Sequence, residues 1–259
     1  MRAAVWQPQT GGAPAERVEA LAAAIAGRGL DLALCPELFT TGYAVGDRLR
    51  AQAEPADGPT ARRVAALARR EGCALAYGFP ERAADGALHN SLAVIGPDGA
   101  MLGVKRKTVL PPGFEVDVFA PGAGSLLLDI AGLRCAALIC YEAEFPEAVR
   151  AAAEGGAEVV LAATALGAEW WAVAHRMIPT RAFENGVWLL YANHAGADGA
   201  LRYLGASCIV APDGEDAARA GAGPALIEAG IAMAPYAARR ERLPYLRDVA
   251  ALRARLPGA

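Results

Sequence analysis

Three apolar runs in this chain each deliver a side chain capable of chemistry. Leu32-Ala33-Leu34-Cys35-Pro36 leads to Glu37. Met101-Leu102-Gly103-Val104 leads through Lys105 and Arg106 to Lys107. Cys135-Ala136-Ala137-Leu138-Ile139 ends on Cys140. A strand end holds a side chain rigidly while leaving it open to a cleft. A carboxylate, an ammonium and a thiol presented this way are the parts for nucleophilic catalysis on a carbonyl carbon.

Cys140 is the centre of this reading. It follows a continuous apolar strand and precedes Tyr141-Glu142-Ala143-Glu144-Phe145-Pro146-Glu147, which opens a helix. A strand-to-helix turn exposes the side chain and leaves the next backbone N–H groups free. A helix N-terminus also favours a thiolate. Cys35, Cys73, Cys135 and Cys208 lack this context and read as buried structural thiols. Among the possible bases, His89 stands at a strand start, His175 lies mid-helix, and His194 follows Asn193 at a strand end. Glu37 is the stronger base: apolar residues flank it on both sides, and burial raises a carboxyl pKa toward the useful range.

The elements that must position these groups alternate along the whole chain. Strands are expected over 2–7, 31–35, 73–79, 90–96, 101–105, 126–130, 133–140, 158–163, 187–193, 204–211 and 225–232, and helices over 14–28, 59–71, 145–155, 171–185 and 244–254. Pro97-Asp98-Gly99 and Pro212-Asp213-Gly214 each follow an apolar run and read as tight connections between neighbouring strands. Hairpins mixed with helices imply mixed sheets rather than one doubly wound parallel sheet. Residues 196–201 and 217–223 read as the loosest segments, and no interdomain linker stands out, so 1–259 is expected to form one domain.

Composition narrows the function. Of 259 residues 54% are hydrophobic and 20% charged, with a formal net charge of −3. No basic tract suggests nucleic acid, and no acidic tail suggests a disordered partner segment. No apolar stretch reaches the roughly 20 residues that span a bilayer, and no secretory signal pattern opens the chain. Five cysteines, an odd number, suit reduced thiols in the cytoplasm rather than a disulfide framework. Lysine occurs only at Lys105 and Lys107, against 23 arginines. No Cys/His cluster has zinc spacing and no glycine-rich loop has phosphate-binding form, so no metal or cofactor is expected.

Taken together, Cys35-Pro36-Glu37-Leu38-Phe39 with Thr41-Gly42-Tyr43, Lys105-Arg106-Lys107-Thr108, and Leu138-Ile139-Cys140-Tyr141-Glu142 with Phe145-Pro146-Glu147 resemble the nitrilase superfamily of carbon–nitrogen hydrolases. Further matches include Tyr77-Gly78-Phe79-Pro80-Glu81, His89-Asn90-Ser91, Phe119-Ala120-Pro121-Gly122 and Arg181-Ala182-Phe183-Glu184-Asn185. The resemblance implies a four-layer αββα sandwich of two mixed β-sheets, a homodimer or higher homo-oligomer, and a Glu-Lys-Cys triad on Glu37, Lys107 and Cys140. Glu115 matches a second glutamate that orients the lysine and the substrate. Glu37 would take the thiol proton, Lys107 and the Tyr141 N–H would hold the oxyanion, and a thioester would be hydrolysed by water activated by Glu37.

Substrate contacts are expected from Tyr43, Tyr141, Glu142, Glu144, Ala165 and Trp170. Many relatives that handle acidic substrates carry arginine four residues after the nucleophile, where this chain has Glu144. Two acids beside the nucleophile would repel a carboxylate and attract an ammonium tail. Glu144 could equally cap the following helix. Trp170 and Trp171 could narrow a pocket or pack under the next helix. The pattern is similar to amidases acting on amino-amides, such as 5-aminopentanamidases and stereoselective amidases. The small-molecule substrate is therefore expected to be a short aliphatic, amine-bearing carboxamide. The same machinery could serve a nitrile or an N-carbamoyl amine, and a catalytically idle scaffold is the alternative of another class.

Overall fold

The structure, a computed structural model, describes residues 1–256. Fourteen strands are named in chain order: β1 (Arg2–Gln7), β2 (Leu32–Leu34), β3 (Ala74–Arg82), β4 (Leu88–Ile95), β5 (Met101–Arg106), β6 (Leu126–Ile130), β7 (Leu133–Ile139), β8 (Val159–Ala163), β9 (Trp188–Ala192), β10 (Ala197–Asp198), β11 (Leu201–Arg202), β12 (Cys208–Val210), β13 (Asp216–Arg219) and β14 (Ala225–Gly230). The helices are α1 (Pro14–Ile25), α2 (Arg48–Ala51), α3 (Pro59–Glu71), α4 (Phe114–Val118), α5 (Pro146–Glu154), α6 (Ile178–Asn185), α7 (Ala237–Arg242) and α8 (Tyr245–Arg253).

Two six-stranded mixed sheets form, in the orders β14-β1-β2-β3-β4-β5 and β13-β12-β9-β8-β7-β6. Strand alternation explains why they stack, since successive side chains point to opposite faces. Val5, Leu34, Ala76 and Leu92 of one sheet meet Ala137, Ile139, Leu161 and Leu190 of the other in the inter-sheet core. The intervening residues Ala4, Ala33, Leu75 and Tyr77 face Val18, Leu21, Val64 and Leu67 of α1 and α3. On the far side, Leu138, Val160, Ala162 and Leu189 face Val149, Ala152, Ile178 and Ala182 of α5 and α6. Each fully buried leucine or isoleucine in these layers contributes about 1.5–3 kcal/mol. The result is the αββα sandwich.

The direction of the strands decides where chemistry can sit. β1, β2 and β3 run parallel, and β5 rejoins that direction through the antiparallel β4. β7, β8 and β9 are parallel to one another. A backbone bond from Ala195 N to Pro8 O ties the segment after β9 to the segment after β1. The carboxyl ends of both parallel sets therefore share one edge of the sandwich, where open α/β sheets place their ligands.

Four of the segments read in the sequence take a different form. The run at 204–211 forms a strand only at Cys208–Val210, because Gly205 and Ala206 take left-handed φ angles of 69° and 54°. Residues 196–201 and 217–223 are not simply loose. The first contributes to the hairpin β10–β11, and the second overlaps β13, where Arg219 pairs with Asp216 and donates to Ala174 O and Ala206 O. The helix expected over 171–185 is a π-helical turn, Val173–Met177, followed by α6. Pro179 has no N–H to give to the preceding turn, which disfavours an uninterrupted α-helix there.

Candidate active site

Glu37 lies just beyond β2 on a strained turn. Leu38, directly after it, has φ 46°, a region uncommon for a branched non-glycine residue. Gly78 is what makes the turn fit: its N–H donates to Pro36 O at 3.1 Å and its carbonyl accepts from Thr40 N at 3.2 Å. A Cβ at Gly78 would come within 2.5 Å of Pro36 O and 2.7 Å of the Glu37 Cα. His194 donates from Nε2 to the Glu37 carbonyl at 2.8 Å. Burial pulls His194 down to about 4, so it stays neutral and braces the turn.

Lys107 leaves β5 and is almost wholly buried. Its Nζ donates to Glu37 Oε1 at 2.7 Å and to Glu115 Oε1 and Oε2 at 2.7 and 3.0 Å. Burial alone would lower this ammonium's pKa, but Glu37, Cys140 and Glu115 outweigh it and hold the group above the ordinary lysine value. Asn90 on β4 donates from Nδ2 to Glu37 Oε1 at 2.7 Å and to Glu115 Oε2 at 3.2 Å. Tyr43 donates to Glu115 Oε1 at 2.5 Å. Burial, reinforced by Glu115, pushes the Glu37 carboxyl up against the pull of Lys107 and Asn90. Its Oε2 is buried and meets no donor among the described residues.

Cys140 ends β7 with φ 49° and starts the short turn Cys140–Glu144. The turn lifts the side chain out of the strand, and the adjacent Tyr141 N–H lies in the first turn, where no intrahelical acceptor exists. The thiol is buried and sits beside Thr164 and Ala165. Burial and the Glu37 charge push its pKa up, and Lys107, Thr164 and Ala165 only partly offset this. The helix-terminus argument for a ready thiolate is therefore overridden by burial: this is a thiol that needs a base.

Several expected contacts take a different form. Glu142 is taken up by the protein's own donors. Its Oε1 accepts from Lys105 Nζ (2.9 Å), Thr108 N (2.8 Å) and Thr108 Oγ1, and its Oε2 accepts from Ile139 N (2.7 Å). Tyr43 commits its hydroxyl proton to Glu115 and packs edge-on against Phe114. Trp170 is 59% exposed. Trp171 is stacked on His175 rather than buried under a helix. Tyr141 is half-buried against Phe145, and Ala165 is buried next to the thiol. Among the described residues the Glu144 side chain accepts no hydrogen bond, although its backbone carbonyl takes one from Arg181. Burial raises its carboxyl pKa against the pull of Lys107 and Arg181. Asn90 and Thr108 are the groups whose roles sequence reasoning missed. The signal for Asn90 was a polar residue inside the wholly buried run Leu88–Ile95, where it must find partners.

This fold has counterparts among known proteins. The carbon-nitrogen hydrolase profile matches residues 2–241. The chain belongs to the carbon–nitrogen hydrolase family. Among its relatives in that family, the (R)-stereoselective amidase of a Pseudomonas species is 35% identical over 185 residues, 71% of this chain and 66% of the relative. The N-carbamoylputrescine amidase of Solanum lycopersicum is 33% identical, across 75% of this chain and 72% of the relative. An alanine-for-cysteine mutant of the Nesterenkonia AN1 amidase, from the nitrilase superfamily, superposes with a TM-score of 0.86 at 32% identity, covering 99% of this chain and 97% of its own. As a carbon–nitrogen hydrolase with amidase relatives, the chain is an enzyme for non-peptide C–N bonds. Among the described residues no helix is long and apolar enough to cross a membrane.

Proposed function

We propose that Glu37, Lys107 and Cys140, with Glu115 holding the lysine, hydrolyse a short aliphatic carboxamide to a carboxylate and ammonia. The observation that carries this reading is the unpartnered, buried Oε2 of Glu37, in a cluster with a thiol too weakly acidic to ionise unaided. Glu37 accepts the thiol proton as sulfur bonds to the amide carbon. The carbonyl π electrons move onto oxygen, facing the Lys107 ammonium and the Tyr141 N–H. Such preorganised donors are worth about 3–4 kcal/mol each. As the tetrahedral adduct collapses, the C–N bond breaks and Glu37 returns its proton to nitrogen, releasing ammonia. Water then loses a proton to Glu37 and attacks the thioester. The carboxylate departs and the sulfur regains its hydrogen.

Glu144 sets the tail preference in this reading. Its carboxylate has no donor among the described residues, while Glu142 is fully engaged, so Glu144 is left to meet a substrate ammonium. In this reading Tyr141 and Ala165 wall the pocket beside the thiol, and the exposed Trp170 is a further substrate contact. The enzyme acts in the cytoplasm as one domain per chain, assembled as a homodimer or higher homo-oligomer.

The test is ammonia release from matched amides with ammonium, neutral and carboxylate tails, alongside the corresponding nitrile and N-carbamoyl amine. The ammonium-tailed amide should lead, and Glu144→Gln should flatten the ranking. A leading nitrile or carboxylate-tailed amide contradicts the substrate assignment. An absence of turnover on every member favours an idle scaffold.

A further inference from the structure

The carboxylate of Glu142 joins the residue directly before Cys140 to the residue directly after Lys107. Ile139 N donates to one oxygen at 2.7 Å, and Thr108, through N at 2.8 Å and through its hydroxyl, donates to the other. Lys105 donates to that same oxygen at 2.9 Å and also to Arg106 O at 2.8 Å. Both charged side chains are buried, 3% and 2% exposed. We propose that Glu142, neutralised by Lys105, is a positioning residue that fixes the Cys140 sulfur relative to the Lys107 ammonium.

The chemistry of the four donors singles out a carboxylate. All four arms present hydrogen, and an ionised carboxylate accepts at both oxygens, whereas an amide offers one acceptor and two more donors. A glutamine here would turn its NH2 toward either Ile139 N–H or the Lys105 and Thr108 donors. The charge must also be balanced, because an uncompensated buried carboxylate is strongly unfavourable. Lys105 supplies that balance and uses a further N–H on the strand it leaves. The left-handed Cys140 is the kind of conformation that persists only when its surroundings over-determine it. The Ile139-to-Glu142 bond closes the turn around it.

This proposal rests on the reading of Cys140 as nucleophile and Lys107 as oxyanion donor, and it is tested separately. Glu142→Gln and Lys105→Met are compared with Glu81→Gln. That control breaks the Arg106–Glu81 pair, which leaves the same strand and bonds Ser91 rather than the site. The thermal midpoint is determined first, and kcat, KM and the rate of Cys140 alkylation by chloroacetamide are then measured well below it. The two clamp variants should lose on the order of 10²-fold in kcat, as for a slight misplacement of reacting groups. Their KM should change little, their alkylation should slow, and the double variant should be no worse than the poorer single one. Glu81→Gln should lower the midpoint while leaving kcat near the parent value. Should either clamp variant fail to fold, Thr108→Val removes one arm only and should still lower kcat severalfold at constant KM. The proposal is overturned if kcat survives in the clamp variants, or if Thr108→Val matches the parent. Activity retained by Cys140→Ala would instead remove the underlying mechanism.

Discussion

Replacing Glu115 by glutamine separates a catalytic electrostatic cluster from a merely structural one. Glu37 and Glu115 each place an oxygen 2.7 Å from the same Lys107 nitrogen. Those oxygens are therefore at most about 5.4 Å apart, and two unit charges at that separation repel by about 3 kcal/mol at an effective dielectric constant of about 20. Glu115 is also one of the groups that raise the Glu37 pKa, after burial itself. Glu115→Gln removes the repulsion, so Glu37 ionises more readily and the acid limb of kcat/KM moves to lower pH. Lys107 meanwhile loses the charge that holds it between two carboxylates. It collapses toward Glu37, and kcat falls about 10²-fold, the usual cost of a misplaced oxyanion donor. The assay is initial-rate ammonia release across the pH range. Tyr43→Phe removes a hydrogen bond to Glu115 but no charge, so it should shift the limb far less. A limb that stays in place or moves upward in Glu115→Gln, or an unchanged kcat, refutes the reasoning.

Two further outcomes follow from the turn that carries Glu37. Gly78→Ala would press a methyl group against Pro36 O, Leu38 N and the Glu37 Cα. It should cost about 1–3 kcal/mol by overpacking and depress kcat, whereas an equally stable and active variant would show that the turn tolerates displacement. His194 is held down to about 4 by burial, against about 6.5 in an unfolded chain. Between those values the unfolded chain binds a proton that the folded chain refuses, so stability falls as pH drops through the window, by about 3 kcal/mol at its acid end. Chemical denaturation near neutral pH and near the acid end should show this loss in the parent and less of it in His194→Gln. Equal slopes would mean that His194 takes up its proton over the same pH range in the folded and unfolded chain.

Most strands of the two sheets were legible as short apolar runs, and Glu37, Lys107 and Cys140 stood out because each follows closely on such a run. Strand ends are where the parallel sets converge, so three residues far apart in sequence meet at one edge. What the sequence hid was which donors each acid would meet. Glu142 looked available to substrate because Lys105 and Thr108 reach it from a different sheet. Tyr43 looked like a pocket residue because Glu115 lies 72 positions away. The tryptophans at 170 and 171 read as pocket wall or helix packing, yet Trp171 stacks on His175 four residues on, a local contact that burial expectations overlook. The π-helical turn before α6 depended on Pro179 acting through a backbone bond it cannot make. These outcomes rest on side-chain contacts and backbone hydrogen bonds, which hydrophobic periodicity does not encode.

The central claim is that an acyl group passes through the sulfur of Cys140. Acid-quenched mixing with a short aliphatic amide, followed by intact-protein and peptide mass spectrometry, measures this directly. The expected result is an adduct of acyl mass on the peptide carrying Cys140, formed as ammonia appears and absent, together with the ammonia, from Cys140→Ala. An adduct on any other residue, or undiminished ammonia release by Cys140→Ala, would contradict it.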